Sequence, residues 1–375
     1  WLMATGYNYD ITVYATDEAG NVSGLDTKSV VYDTAPPVAV TTQPVPGYVY
    51  KDLFLIAGTA AESALPSPRN NVSGLALPNA NEVRVERGDR KTFNGNGFFS
   101  GDTWVVALGT QPWIYNNINL NPNLTNGPYI VSSRSSDTVN NKQTTFTPDV
   151  STFTFYIDKS SPTAYFVYPA HLVPGSITGK YKHGTSGGNT LDTISGTAID
   201  AEATYYGSGA IFQDTQFRLW YLLGGTSYYY DGSGPDYFQG ADANAAWTVV
   251  GDVNASTTPW IQNDMNQVWV STNADMVYYI QARARDQART TFGVATGNIQ
   301  SDFTLGDQSF RKFIMDAKPP SIVVDTPAAA GFSTGSGFEI HGRVNGDLAE
   351  LRVAASSGVV VRLFCEDGGG KHYWD

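Results

Sequence analysis

The chain writes one phrase three times: VYDTAPPVA at 31–39, YIDKSSPTA at 156–164 and IMDAKPPSI at 314–322. Each sets an aspartate after two apolar residues and a proline shortly beyond it. Proline removes a ladder donor and stiffens the exit from a strand. The phrase therefore reads as a linker that closes one folded unit and opens the next.

The segments around it repeat as well. Upstream, YDITVYATD (9–17), YIVSSRSSD (129–137) and YYIQARARD (278–286) each set an aspartate eight residues after a tyrosine. In the first, Tyr9, Ile11, Val13 and Ala15 alternate with Asp10, Thr12, Tyr14 and Thr16, the period of a strand with one face buried. The middle copy is weaker, with Ser133 and Ser135 on its core face. Downstream come LIAGTAAE (55–62), TISGTAID (193–200) and EIHGRVNG (339–346), then NEVRVERG (81–88), TQFRLWYL (215–222) and LAELRVAA (348–355). TWVVAL (103–108) matches AWTVVGD (246–252), and QPWI (111–114) matches TPWI (258–261). A period this long means tandem domains.

The expected organisation is half a unit at 1–33, whole units at 34–158 and 159–316, and half a unit at 317–375. The second whole unit carries long insertions such as GGTSYYYDGSGPDYFQGADANAA (224–246). The chain opens at Trp1 and reads as a mature or excerpted segment. Either the polypeptide continues both ways, or residues 1–33 complete the open half 317–375 of the next subunit by donating strands. The natural object is expected to be longer than this chain.

Only 15% of the residues are charged, and Gly, Ser, Thr, Asn and 22 Tyr fill the balance, a mixture suited to strands and turns. Short strands between Gly, Asn and Pro turns predict an antiparallel sandwich, and FNGNGFF (93–99) a hairpin through its Asn-Gly step. A net charge of −12 leaves no basic stripe for nucleic acid. No apolar run reaches the length of a membrane span. The single cysteine, Cys365, forbids an intrachain disulfide; it fits a cytosolic protein or a bacterial surface protein.

The string Y-x-I-x-V-x-A-x-D-E-A-G-N-V-S, followed by a strand and VYDTAPP, resembles the bacterial Ig-like repeats of very large surface and extracellular proteins. The likeness implies an all-β fold: tandem Ig-like antiparallel β-sandwich domains in a linear array. Tyr9, Tyr129 and Tyr278 would begin the sixth strand, with DEAGN as the turn to the last. DTVNN (137–141) and DQART (286–290) replace DEAGN in the later copies. The resemblance implies a non-enzymatic extracellular structural protein, a segment of a cell-surface stalk, fibre or filament. Its partners would be neighbouring copies or the continuing chain, and a host surface or glycans where it acts as an adhesin.

Asp17, Glu18, Asp33, Asp137, Asp158, Asp286 and Asp316 sit near unit ends. A seam between units can gather the six to eight hard oxygens that calcium takes, and the resemblance implies this cofactor. Against it stands a plainer reading, in which these aspartates cap turns through side-chain to backbone hydrogen bonds. No segment carries an EF-hand loop.

The competing function is an adhesin or carbohydrate-binding module that uses aromatic loops of the third unit. Its candidates are Tyr228, Tyr229, Tyr230 and Tyr237 in the insertion, and Trp113 and Trp260, each after a proline. Trp104 and Trp247 recur within a strand and are expected to anchor the cores. GFSTG (331–335) matches a nucleophile elbow only formally, since no strand-to-helix turn is expected there. His171, His183, His341 and His372 show no metal-ligand spacing. No catalytic constellation emerges, so the expectation is no enzyme.

Overall fold

The computed structural model describes residues 2–174, 176–182, 189–200, 212–232, 237–239, 246–251, 257–269, 275–327, 339–345, 359, 361–367 and 370–373. Their secondary structure is almost entirely strand, with one short helix at Leu120–Asn123 and a 3-10 turn at Met265–Gln267. No helix among them is long and apolar enough to cross a membrane. GFSTG and His183 lie outside the described residues.

Two separate cores account for most of the buried apolar side chains among the described residues. One gathers residues between Ala39 and Ile157, the other residues between Ala164 and Met315. Around the first, Val38–Gln43 pairs antiparallel with Leu55–Ala61, which pairs with Trp113–Asn116. Val105–Gly109 carries the ladder across to Asn81–Arg87, then Gly127–Ser135 and Thr152–Ile157, with Val49–Tyr50 parallel at the far edge. The ladder thus closes over its own core as an antiparallel sandwich. The second unit repeats the plan in two sheets. Thr163–Tyr168, Ile194–Ile199 and Thr257–Gln262 form one; Phe212–Leu223, Met276–Asp286, Phe310–Asp316 and Lys180–Lys182 are the backbone of the other. FNGNGFF forms its hairpin, with Phe93 opposite Phe98 and Gly95 at φ +97°.

The GTA repeat has a steric cause. A Cβ on Gly58 would stand 1.9 Å from the Val40 carbonyl oxygen and 2.4 Å from Cζ2 of Trp113. On Gly196 it would stand 1.9 Å from the Tyr165 carbonyl oxygen and 2.5 Å from Cζ2 of Trp260. Each glycine therefore opens the slot in which its unit's tryptophan lies flat against the strand. Trp113 also donates Nε1–H to the Thr59 carbonyl at 3.0 Å.

The repeated tyrosine has its own task. The Tyr129 hydroxyl accepts from the Thr125 amide at 2.8 Å and donates to the Thr125 carbonyl at 3.0 Å. Tyr9 makes the same pair with Ala4. This is the tyrosine corner of Ig-type sandwiches, which ties a strand to the loop before it. The weak middle copy is also explained. Ser133 and Ser135 are buried at 1% exposure. Ser133 accepts from Thr41, and Ser135 donates to the Ala80 carbonyl, so neither polar group is stranded.

On either side lie smaller pieces. Tyr7–Val13 pairs with Asp26–Tyr32, and Ser321–Thr326 with His341–Asn345. Ile11, Val13, Val30, Ile322 and Val324 in these ladders are exposed.

Candidate cation sites at the unit junctions

The aspartates of the proline phrases first fix the linker. Asp33, Asp158 and Asp316 each accept a hydrogen bond from the amide two residues on, at Ala35, Ser160 and Lys318. Asp33 takes a second from the Ser73 amide at 2.8 Å. Burial works against its ionised form, but these amide donors outweigh it and hold the carboxyl below its ordinary value.

The aspartates that follow the tyrosine strands cap turns. Asp17 takes the amides of Ala19 and Asn21 and the Asn21 side chain. Asp137 does the same with Val139 and Asn141. Asp286 uses Ala288 and, across a longer loop, Asn298. The plainer reading is therefore correct as far as it goes. The asparagine then reaches further: Asn141 also donates to the Asp33 carbonyl at 3.0 Å, and Asn298 to the Asp158 carbonyl at 3.0 Å. One amide group thus joins the turn of a unit to the linker entering it.

Two junctions collect three carboxylates apiece: Asp33, Glu62 and Asp137 at the first, Asp158, Asp200 and Asp286 at the second. One oxygen from each lies within 4.8 Å of the others in its set. Two oxygens bound to one calcium at about 2.4 Å can be no further apart than about 4.8 Å, so both sets fit one coordination sphere. Asp33, Asp137, Asp158, Asp200 and Asp286 are all buried, Asp33 the most exposed of them at 6%. Neither Glu62 oxygen meets a hydrogen-bond donor at bonding geometry, although the Gly74 amide favours its charge. Burial, then the charges of Asp137 and Asp33, push the Glu62 carboxyl up. Burial pushes Asp286 up to about 6, with Asp200 adding to it. Like charges held this closely out of water favour a proton or a cation.

Of the seven residues read as junction ligands, the fold brings Asp33 to Asp137 and Asp158 to Asp286. Asp17, Glu18 and Asp316 join no such cluster among the described residues. Asp17 and Glu18 stand in an exposed turn. Glu62 and Asp200 were missed. Both stand four residues after the GTA-type glycine, as the last letters of GTAAE and GTAID; the third copy has Gly346 there.

The aromatic candidates divide differently from expectation. Trp113 and Trp260, expected to be open, are buried at 0% and 4% because they fill the glycine slots. Trp104 and Trp247, expected in the cores, are half-buried on the outer faces. Trp104 lies between Phe146 and the Arg134 guanidinium, Trp247 between Phe303 and that of Arg283. The tyrosine run is a strand, Thr226–Tyr230, folded back on Phe212–Leu223. Alternation sends Tyr230 into the core and stacks Tyr228 on Tyr221, while Tyr237 stacks on Tyr230. Only Tyr229 of the run faces out, beside Trp220. His171 accepts from the Lys312 amide and His341 meets Glu339.

No protein-family model and no curated protein matches the chain. Solved structures with similarity include a three-Ig stretch of titin, 9% identical, covering 85% of this chain and 91% of that one at TM-score 0.32. A second titin fragment is 10% identical over 75% and 70%, at TM-score 0.28. Cadherin domains 1–5 of protocadherin gamma B2 are 10% identical over 83% and 46%, at TM-score 0.24. Scores this low carry no inference about function; the sandwich assignment rests on the sheets themselves.

Proposed function

We propose that this chain is a stretch of a non-enzymatic, extracellular structural repeat protein, a run of a cell-surface stalk, fibre or filament, whose junctions are stiffened by calcium. The observation that carries the reading is the joint between the two whole units. The loop after Asp286 lies along the Tyr48–Phe54 edge of the preceding unit. Lys51 donates its amide to the Arg289 carbonyl at 2.8 Å, and Arg289 returns its own to Val49 at 2.9 Å. Thr291, 1% exposed, donates to the Asp52 carboxylate and accepts from the Phe54 amide. The Arg289 guanidinium sits 4.3 Å over the Tyr48 ring. A flexible tether has no use for such an interlock. Asp33, Glu62 and Asp137, and Asp158, Asp200 and Asp286, would hold the ions, bridging linker, turn and sheet at each seam. The exposed apolar residues of the flanking ladders would be covered by neighbouring units, of this chain or another copy.

Calorimetry and small-angle X-ray scattering of the full chain test this. Calcium is expected to bind, to raise the melting temperature and to lengthen the particle, gaining about 2.7 kcal/mol per site at a hundredfold excess over Kd. Glu62→Gln with Asp137→Asn should remove one class of site, and Asp200→Asn with Asp286→Asn the other. Equal stability with calcium and with chelator would overturn the cation; a compact, calcium-indifferent particle would overturn the stalk.

An adhesive role for the second whole unit, residues 159–316, is the second reading, favoured by Tyr229 standing outward beside Trp220.

A further inference from the structure

The two whole units carry the same outer sheet face with different chemistry. In the first, Glu82 accepts from Arg134 at 2.7 Å and Lys142 at 3.0 Å, and Arg84 pairs with Glu86 and Asp102. Register aligns that face with the second unit: Arg134 lies opposite Glu82 as Arg283 lies opposite Gln216. Gln216, Arg218 and Trp220 then replace Glu82, Arg84 and Glu86, and Tyr279 replaces Ile130. Both arginines are kept while both glutamates are gone. The strand Thr226–Tyr230 sets Tyr229 opposite Trp220, where the first unit's shorter strand sets Thr92 opposite Glu86.

From these substitutions we infer that the Arg218–Arg283 face of the second whole unit binds an acidic polysaccharide, its uronate carboxylates on the guanidiniums and its sugar rings on the aromatic plates. Arg283 donates Nε–H to Gln216 at 2.7 Å and Arg218 donates to Gln281, so a glutamine amide helps orient each group. Both guanidiniums lie over Trp247, at 4.0 and 4.8 Å, which holds two like charges side by side. Burial, then Arg218, lowers the Arg283 pKa to about 10, with Asp214 opposing. An arriving carboxylate relieves that repulsion with charge-assisted bonds. Trp220 stacks on Tyr279 at 5.6 Å and 19°, flanked by Tyr229 and Phe310. Lys312 lies opposite Tyr279, and Arg285 is occupied by Asp214. In a chain of net charge −12, this is a local cationic surface that charge-complements an anion, and its aromatic plates favour a sugar over an acidic peptide. The inference rests on the adhesive reading and is independent of the calcium seams.

The test is affinity electrophoresis of the full chain, in chelator so that calcium cannot bridge, through gels holding hyaluronan, neutral chito-oligosaccharide or polyglutamate. Hyaluronan alone should retard the protein, less so as salt rises. Tyr229→Ser and Arg283→Gln should each weaken this by about tenfold or more, while Arg134→Gln in the other unit leaves it unchanged; melting curves confirm folding, and Tyr229→Ser serves if Arg283→Gln unfolds. No retardation of the folded chain, equal retardation by polyglutamate or chito-oligosaccharide, or indifference to Tyr229→Ser would overturn the assignment.

Discussion

Replacing Gly58 by alanine adds one methyl group where the first whole unit has no room for it. The new carbon would stand 1.9 Å from the Val40 carbonyl oxygen and 2.4 Å from the Trp113 ring, against about 3.5 Å for comfortable contact. The first clash is with backbone, so no rotamer change relieves it. Either Val38–Gln43 lifts off its partner or Trp113 leaves its slot. A buried tryptophan is worth about 3–5 kcal/mol, and each ladder bond lost adds about 1 kcal/mol. Against a whole-domain stability of about 5–15 kcal/mol, the unit becomes marginal. Hydrogen exchange with mass-spectrometric readout separates the units. Protection of Leu55–Ala61 and Trp113–Asn116 should fall by about a hundredfold or more, while Ile194–Ile199 in the other unit keeps its protection. Gly196→Ala should give the mirror image. A Gly58→Ala chain within about 1 kcal/mol of the parent would refute the slot.

In chelator, stability should fall as pH rises through the Asp286 titration. Its folded pKa of about 6 exceeds the ordinary 3.8, so its contribution is full below 3.8 and lost above about 6, on the order of 3 kcal/mol shared with Asp158 and Asp200. Thermal melts across that range check it, and Asp286→Asn should flatten the profile. Asn298→Asp removes donors to Asp286 and the Asp158 carbonyl and adds a fourth negative charge; it should cost about 2–4 kcal/mol by denaturant titration, less with calcium. Tyr129→Phe should lose about 1–3 kcal/mol by the same assay, leaving the Thr125 amide unpaired. Arg289→Ala keeps the backbone bridge of the joint but removes the stack on Tyr48, so nitroxide distances across the joint should broaden with a cost of about 0.5–2 kcal/mol.

The all-β sandwich was legible because alternation, glycine turns and the thrice-written proline phrase agree with one another. Sequence reasoning went astray where a side chain's direction depends on a distant partner. Trp113 follows a proline in what reads as a turn, yet it is buried because Gly58, more than fifty residues earlier, leaves a slot for it. Trp104 looked like a strand residue but precedes the strand Val105–Gly109, so it meets Arg134 and Phe146 outside. Tyr228–Tyr230 looked like a loop; Gly224 and Gly225, both at positive φ, turn it into a strand that shares its tyrosines between two faces. At the junctions Asp33, Asp137, Asp158 and Asp286 were legible from their spacing, while Asp17, Glu18 and Asp316 shared that spacing yet gather in no cluster among the described residues. Glu62 and Asp200 were overlooked because they end a strand element in mid-unit and reach the seam only when the sandwich closes.

The joint is held by two attachments of different kinds. The loop from Arg289 to Gly297 braces one flank of the seam, with the Lys51 ammonium on the Gly297 carbonyl at its base, while the Asp158–Pro162 linker is the connection by which the chain itself crosses. Bending toward the braced flank compresses packed atoms; bending away peels a short row of hydrogen bonds. A row of such joints would behave like a carpenter's rule with stops, rigid one way and yielding the other, so that a load turns it within a preferred plane.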